Sequence, residues 1–381
     1  MHRRYRAPHR TAKGIPRRTA LGLLTGLSGL TLVAGRAPQT PGLAPSPTLA
    51  RLPREDLLVF RDDSGAPQPV RTAADWLRRR EEILRGFASI AGPMPGPERR
   101  CPLEVRLEDE ADVDTFIRRR ITYESEPGSR VEAYLLIPKA ALKSGAAPAR
   151  GVLCLHQTHA AGKKVVVGLG NSPDDEYGVE LARRGFICLA TPYPWLAGYE
   201  PDLKGLGYVS GTMKAIWDNR RGLDVLESLA CVRPGNFAAI GHSLGGHNAI
   251  FTAVHDDRIR VVVTSCAFDS FVDYMDGDIT GWTQERYMPR LADYRRRVAE
   301  VPFDFAELIG ALAPRAFFAN APQGDTNFRW KSVARIAQAA SAVYRLYDAT
   351  DRLVVRHPDC AHRFPPELRA EALAFIEKYA S

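Results

Sequence analysis

Beyond its first 37 residues the 381-residue chain lacks any apolar run near the roughly 20 residues that cross a bilayer. It also lacks net charge there. Of 52 Lys and Arg, eight (Arg3, Arg4, Arg6, Arg10, Lys13, Arg17, Arg18 and Arg36) fall in residues 1–37 with no acid among them, leaving 44 basic against 44 acidic residues. That balance implies no basic patch of nucleic-acid-binding size. Cysteine is scarce, and its six positions form no C-x-x-C pair, which argues against a zinc knuckle and a disulfide-dense scaffold. Cys154, Cys188 and Cys266 sit in apolar runs as small hydrophobes. Cys101, Cys231 and Cys360 are left open for pairing, which the sequence does not specify, and neither is the oligomeric state. No internal repeat is found. What remains is an ordinary globular composition, 45% hydrophobic and 25% charged, with room for one large domain or two small ones.

The first 37 residues read as a leader. A basic stretch ends in Arg17-Arg18, and a short, weakly apolar run from Leu21 to Val33 follows. Small residues at Ala34, Gly35 and Ala37 suit a cleavage site, and the paired arginines resemble a twin-arginine export signal. The expectation is an exported protein, periplasmic or extracellular; an N-terminal anchor or a plain tail is the other reading. Residues 38–100 are expected to hold a Pro- and Ser-rich linker to Leu49 and a helical segment over Ala73–Ile90, ended by Pro93-Met94-Pro95-Gly96-Pro97.

From residue 101 to 381 the pattern is that of one α/β domain. Leu103–Leu107, Arg120–Glu124 and Val131–Ile137 alternate with period two, as partly exposed antiparallel strands do. Continuous apolar runs then follow at 151–155, 186–190, 237–240, 259–265, 316–319 and 353–355, suiting parallel strands buried on both faces. Helix-compatible stretches lie between them, such as Asp175–Arg184 and Thr212–Cys231. The order predicts an open, mostly parallel sheet flanked by helices. Ala267–Ala313 is long for a connection and rich in aromatics, which predicts a lid over the carboxyl edge of the sheet.

The strongest local signal is Gly241-His242-Ser243-Leu244-Gly245, set between an apolar strand and a helix-compatible run. A G-x-S-x-G in that setting is a nucleophile elbow, whose tight turn lifts a serine hydroxyl above the sheet edge. Such a serine needs a base held by an acid, in the chain order Ser, Asp, His. His362, after the last strand and before the C-terminal helix, is the expected base, with His357 its competitor. Asp325, after the penultimate strand, is the expected acid; Asp269 is the second choice, and Asp348, Asp351 and Asp359 lie nearby in sequence. Oxyanion donors are expected from the backbone of Leu244 and from the loop His156-Gln157-Thr158-His159, with Thr158 favoured and Gln157 next. Trp282 and Tyr287 stand as tentative substrate contacts, with packing the plainer role. His156 and His159 find no third metal ligand at a suitable spacing, Gly162-Lys163-Lys164 lacks the first glycine of a P-loop, and Gly205-Leu206-Gly207 follows no strand. No metal and no cofactor is expected.

His156-Gln157-Thr158, Gly241 to Gly246, Pro322 to Phe328 and Pro358 to Pro365, in that order, resemble the α/β-hydrolase superfamily. More narrowly, the chain resembles the dienelactone-hydrolase-like and acetylxylan-esterase-like bacterial hydrolases over about residues 73–381. The resemblance implies a serine hydrolase that cleaves carboxylic esters. Export and the neutral charge beyond the leader suit a small-molecule or carbohydrate ester as partner, and the lack of a long apolar run predicts no stable membrane span after leader removal. Dienelactone hydrolases proper use cysteine where this chain has Ser243, and glucuronoyl esterases, similar in plan, carry a different elbow. A prolyl-oligopeptidase-like peptidase is the alternative, although too few residues precede the sheet to build a gating propeller. A binding protein on the same fold is the third.

Overall fold

The computed structural model describes residues 50–380; the expected leader and the linker through Leu49 lie outside the described residues. A two-stranded ribbon, β1 (Val59–Arg61) and β2 (Pro67–Pro69), leads into α1 (Ala73–Ala91). Thr72 and Asp75 close the start of α1 as a capping box, each side chain accepting from the other's backbone N–H. The helix buries Trp76, Ile83, Phe87 and Ile90 in the same core as Phe303, Phe305 and Ile309. Residues 50–100 therefore belong to the body of the domain and do not precede it. Arg51 pairs with Glu307 and Arg54 with Asp304, fastening the chain just after the expected linker.

The main sheet opens with an antiparallel meander, β3 (Arg106–Val113), β4 (Phe116–Glu126) and β5 (Ser129–Pro138). Alternating strands and helices follow: β6 (Ala149–Leu155), α2 (Tyr177–Arg183), β7 (Ile187–Ala190), α3 (Gly211–Glu227), β8 (Val232–His242) and α4 (Leu244–His255). The chain then runs through β9 (Ile259–Ser265), α5 (Phe305–Leu312), β10 (Ala316–Asn320), α6 (Trp330–Leu346), β11 (Leu353–Arg356) and α7 (Pro366–Tyr379). The strand order is β11-β10-β9-β8-β6-β7-β5-β4-β3, parallel from β11 to β7 and antiparallel beyond.

Pleating divides the core in two. Leu153 and Leu155 of β6 join α1, α3, α4, α5 and α6 on one face, while Val152 and Cys154 join α2 and α7 on the other. Each large apolar side chain so buried contributes about 1.5–3 kcal/mol. The first meander strand is displaced from its expected position at Leu103–Leu107. β3 starts at Arg106 and is mostly Asp, Glu and Arg, with nearly every side chain exposed. An edge strand carrying charges on both faces shows no apolar alternation, and those charges guard its open edge.

The stretch from Ala267 to Ala313 folds as a series of short 3-10 turns ending in α5, the crossover helix before β10. Within it Phe271, Ile279, Trp282, Met288 and Leu291 are all buried. Among the described residues no helix is long and apolar enough to cross a membrane.

Candidate active site

Ser243 stands between β8 and α4 at φ 52, ψ −120, a left-handed conformation that a side chain adopts only when its surroundings enforce it. The surroundings do so. The Ser243 N–H donates to the carbonyl of Ser265 at the end of β9 (2.7 Å), and its own carbonyl accepts from Gly246 (2.9 Å). A Cβ at Gly241 would lie 2.1 Å from the carbonyl carbon of Gly245, and one at Gly245 would lie 1.9 Å from the carbonyl oxygen of Leu155. Both positions must be glycine for α4 to start so close to β6 and β8.

Asp325 follows β10 and His362 follows β11. The two loops are joined by backbone hydrogen bonds, from Gln323 N–H to the Pro358 carbonyl (2.9 Å) and from Gly324 N–H to that of Cys360 (3.0 Å). His362 Nδ1 then sits 2.9 Å from Asp325 Oδ2 and 3.0 Å from Oδ1. Asp325 Oδ1 also accepts from the N–H groups of Asn327 (2.8 Å) and Phe328 (3.1 Å). Burial works against ionisation of this carboxyl, but the His362 hydrogen bond and the two N–H groups outweigh it and hold its pKa below the ordinary value. The alternative acid, Asp269, takes no part in that pair. Its Oδ2 accepts from Arg329 N–H (3.0 Å), its Oδ1 has no partner, and burial above all raises its pKa to about 8. His357 is committed elsewhere, with Nδ1 2.9 Å from the Ala321 carbonyl and its ring against Trp330.

A cavity of about 100 Å³ opens over Ser243, lined among others by Thr158, Leu244, His247, Trp282 and Tyr287. Leu244 is the first residue of α4, so no earlier turn satisfies its N–H, which is the condition an oxyanion donor must meet. Thr158 is exposed at the cavity wall, whereas Gln157 is buried, its Oε1 unpartnered and its carbonyl 2.8 Å from His156 Nδ1. Trp282 is 4% exposed and packs on Phe271 and Phe305, and both Trp282 and Tyr287 line the cavity.

Several contributors had no signal in the sequence. His242, inside the elbow, stacks edge-on against His362 with ring centroids 4.9 Å apart, and burial pushes its pKa down to about 3. Asn320, ending β10, donates through Nδ2 to Ser265 Oγ (2.8 Å) and to the Arg363 carbonyl (2.8 Å), tying the His362 loop to the sheet. Cys266, at φ 51 after β9, places Sγ in a cluster with Asp325 and His362 whose donor atoms lie within 4.8 Å of one another. Burial, then the Asp325 charge, raises the pKa of that thiol, and a protonated sulfur is a poor nucleophile and a poor metal ligand. Its partners are in place, with Sγ 3.4 Å from the Arg363 carbonyl. His159 Nδ1 accepts from Ala161 N–H (3.0 Å), and among the described residues neither His156 nor His159 falls in a cluster of three or more His, Cys, Asp or Glu donors.

With this geometry in view, the fold is that of the α/β-hydrolases. A glucuronoyl esterase from Solibacter usitatus superposes with a TM-score of 0.67 at 18% identity, over 87% of this chain and 98% of that one. A CE15 glucuronoyl esterase from Teredinibacter turnerae T7901 gives 0.64 at 17% identity, over 86% and 89%. An acetyl xylan esterase from Paenibacillus sp. R4 gives 0.50 at 18% identity, over 73% and 90%. These glucuronoyl esterases thus share this fold. In sequence, the Bacillus subtilis (strain 168) protein "Putative hydrolase YtaP" is 29% identical over 165 residues. That stretch is 43% of this chain, which spans about half (52%) of the length of that relative. No family model matches.

Proposed function

We propose that the chain is a serine hydrolase cleaving carboxylic esters, acylated carbohydrates among them. Ser243 Oγ attacks the acyl carbon while His362 takes its proton. Asp325 holds the imidazole with its hydrogen on Nδ1, leaving Nε2 as the base. The N–H of Leu244, and one from the loop at Thr158 and Gln157, receive the oxyanion. His362 returns the proton to the departing alcohol, and a water repeats the cycle on the acyl-enzyme. The observations that carry this reading are a strained elbow serine and, packed on the adjacent His242, a His362 imidazole already oriented by the Asp325 carboxylate. The esterases and the hydrolase to which the chain is similar support it. A fluorophosphonate probe tests it: the protein should be labelled and Ser243→Ala should not, while p-nitrophenyl acetate is turned over only by the former. Absence of labelling in the unsubstituted protein would leave a binding protein on the hydrolase fold. Faster cleavage of proline-containing amides than of esters would turn the reading to a peptidase.

Export rests on the leader alone. Changing Arg17 and Arg18 together to lysine should retain the protein in the cytoplasm of a host with a working twin-arginine pathway.

A further inference from the structure

His247 lies one helical turn beyond Ser243 on α4 and lines the same cavity, only 4% exposed. Its Nδ1 is 3.2 Å from the carbonyl of Ala267. A carbonyl can only accept, so Nδ1 carries the ring hydrogen. Burial, partly opposed by that hydrogen bond, holds the pKa of the imidazole down to about 3, and the ring is neutral. Nε2 is therefore a bare lone pair, and no group among the described residues reaches it. The ring cannot readily turn away. Trp282, Phe251 and Tyr287 press on it with centroids at 4.7, 5.6 and 5.9 Å, the last edge-on.

A buried acceptor left unpaired costs about 1–3 kcal/mol, so an occupant of the cavity that supplies a hydrogen is favoured over one that does not. The cavity wall limits which donor that is. No Asp or Glu lines it, so an ammonium group would enter without a counter-charge. A neutral hydroxyl meets no such obstacle, and the faces of Trp282 and Tyr287 suit the C–H surface of the ring that bears it. We infer that His247 Nε2 accepts a hydrogen bond from a substrate hydroxyl, making the site selective for esters of hydroxylated rings over their deoxy counterparts. The inference rests on the hydrolase reading and narrows its substrate class.

The test compares kcat/KM for monoacetylated methyl xylosides with their monodeoxy analogues, using the full chain. The unsubstituted protein should favour a hydroxylated member at least tenfold, because a site built around a hydroxyl discriminates against its absence. In His247→Phe, which keeps a ring and loses the acceptor, the preference should shrink at least fivefold. His247→Gln, which restores an acceptor oxygen, should recover part of it. Equal preference in the unsubstituted protein and His247→Phe overturns the inference, since a mere packing role for His247 would leave the ratio alone. Should His247→Phe fail to fold by circular dichroism, a second measurement decides. In Ser243→Ala labelled with 15N-histidine, the Nε2 resonance of His247 should move when methyl xyloside binds; binding without movement overturns the inference. Failure of the parent reading looks different: no ester, p-nitrophenyl acetate included, is turned over by the unsubstituted protein.

Discussion

Asp325 and His362 stand 37 residues apart in the chain, yet the imidazole Nδ1 is 2.9 Å from the carboxylate Oδ2. The same carboxylate is gripped from behind by the N–H groups of Asn327 and Phe328. Asp269, the other acid considered for this place, is bonded to Arg329 N–H and faces no imidazole. Asp325→Asn should lower kcat on p-nitrophenyl acetate by about 10⁴-fold, because the wrong tautomer of His362 is then held. Asp269→Asn should leave it within about threefold. Steady-state kinetics on the two variants would reverse the assignment if their effects were exchanged.

Asp269 should show itself in stability instead. An unfolded aspartate titrates near 3.9, whereas in the fold this carboxyl keeps its proton up to about 8. Between those values the unfolded chain releases a proton that the native state retains. The contribution of the protonated carboxyl is thus whole below pH 4 and lost as pH rises to about 8. Asp269→Asn removes that dependence while still offering an oxygen to Arg329 N–H. In urea denaturation its gain over the unsubstituted protein should be larger at pH 8 than at pH 4.5. An equal difference at the two pH values counts against the protonated state.

Gly245→Ala places a methyl group where the Leu155 carbonyl oxygen already is, 1.9 Å from the ideal Cβ position. Neither strand nor helix can retreat without opening the core between β6 and α4. Little soluble, folded protein is expected, and whatever is recovered should not react with a fluorophosphonate. Normal yield with normal labelling would mean that the elbow is looser than its geometry.

Asn320→Ala cuts the hydrogen bond that fastens the loop of His362 to β10 and the one that ties Asn320 to Ser265 at the end of β9. The loss in stability should be about 1–3 kcal/mol, measured by chemical denaturation. Activity should fall further than that alone explains, by roughly 10–100-fold in kcat with KM little changed, since a base displaced by 1 Å transfers its proton poorly. A stability loss with kcat intact would restrict Asn320 to holding the fold.

Much of the layout was legible in the sequence because buried parallel strands must be apolar throughout. Ile259–Ser265 and the helices over residues 73–90 and 366–379 show this, as does the glycine spacing around Ser243. The charged edge strand β3 lies later than the Leu103–Leu107 alternation suggests for the opposite reason, having no buried face to pattern. The membership of residues 50–100 in the main body was also hidden, since only the partners of Trp76 and Arg51 reveal it.

By itself the amino-acid order determined which side chains are able to form an elbow and which run in alternation, because those properties depend on neighbours within a few residues. Only the tertiary structure decided that His362 meets Asp325 and not Asp269, and that His247 keeps one nitrogen without a partner. Those outcomes depend on which loops come together at the strand ends. That is set by packing between segments far apart in the chain, to which local spacing carries no clue.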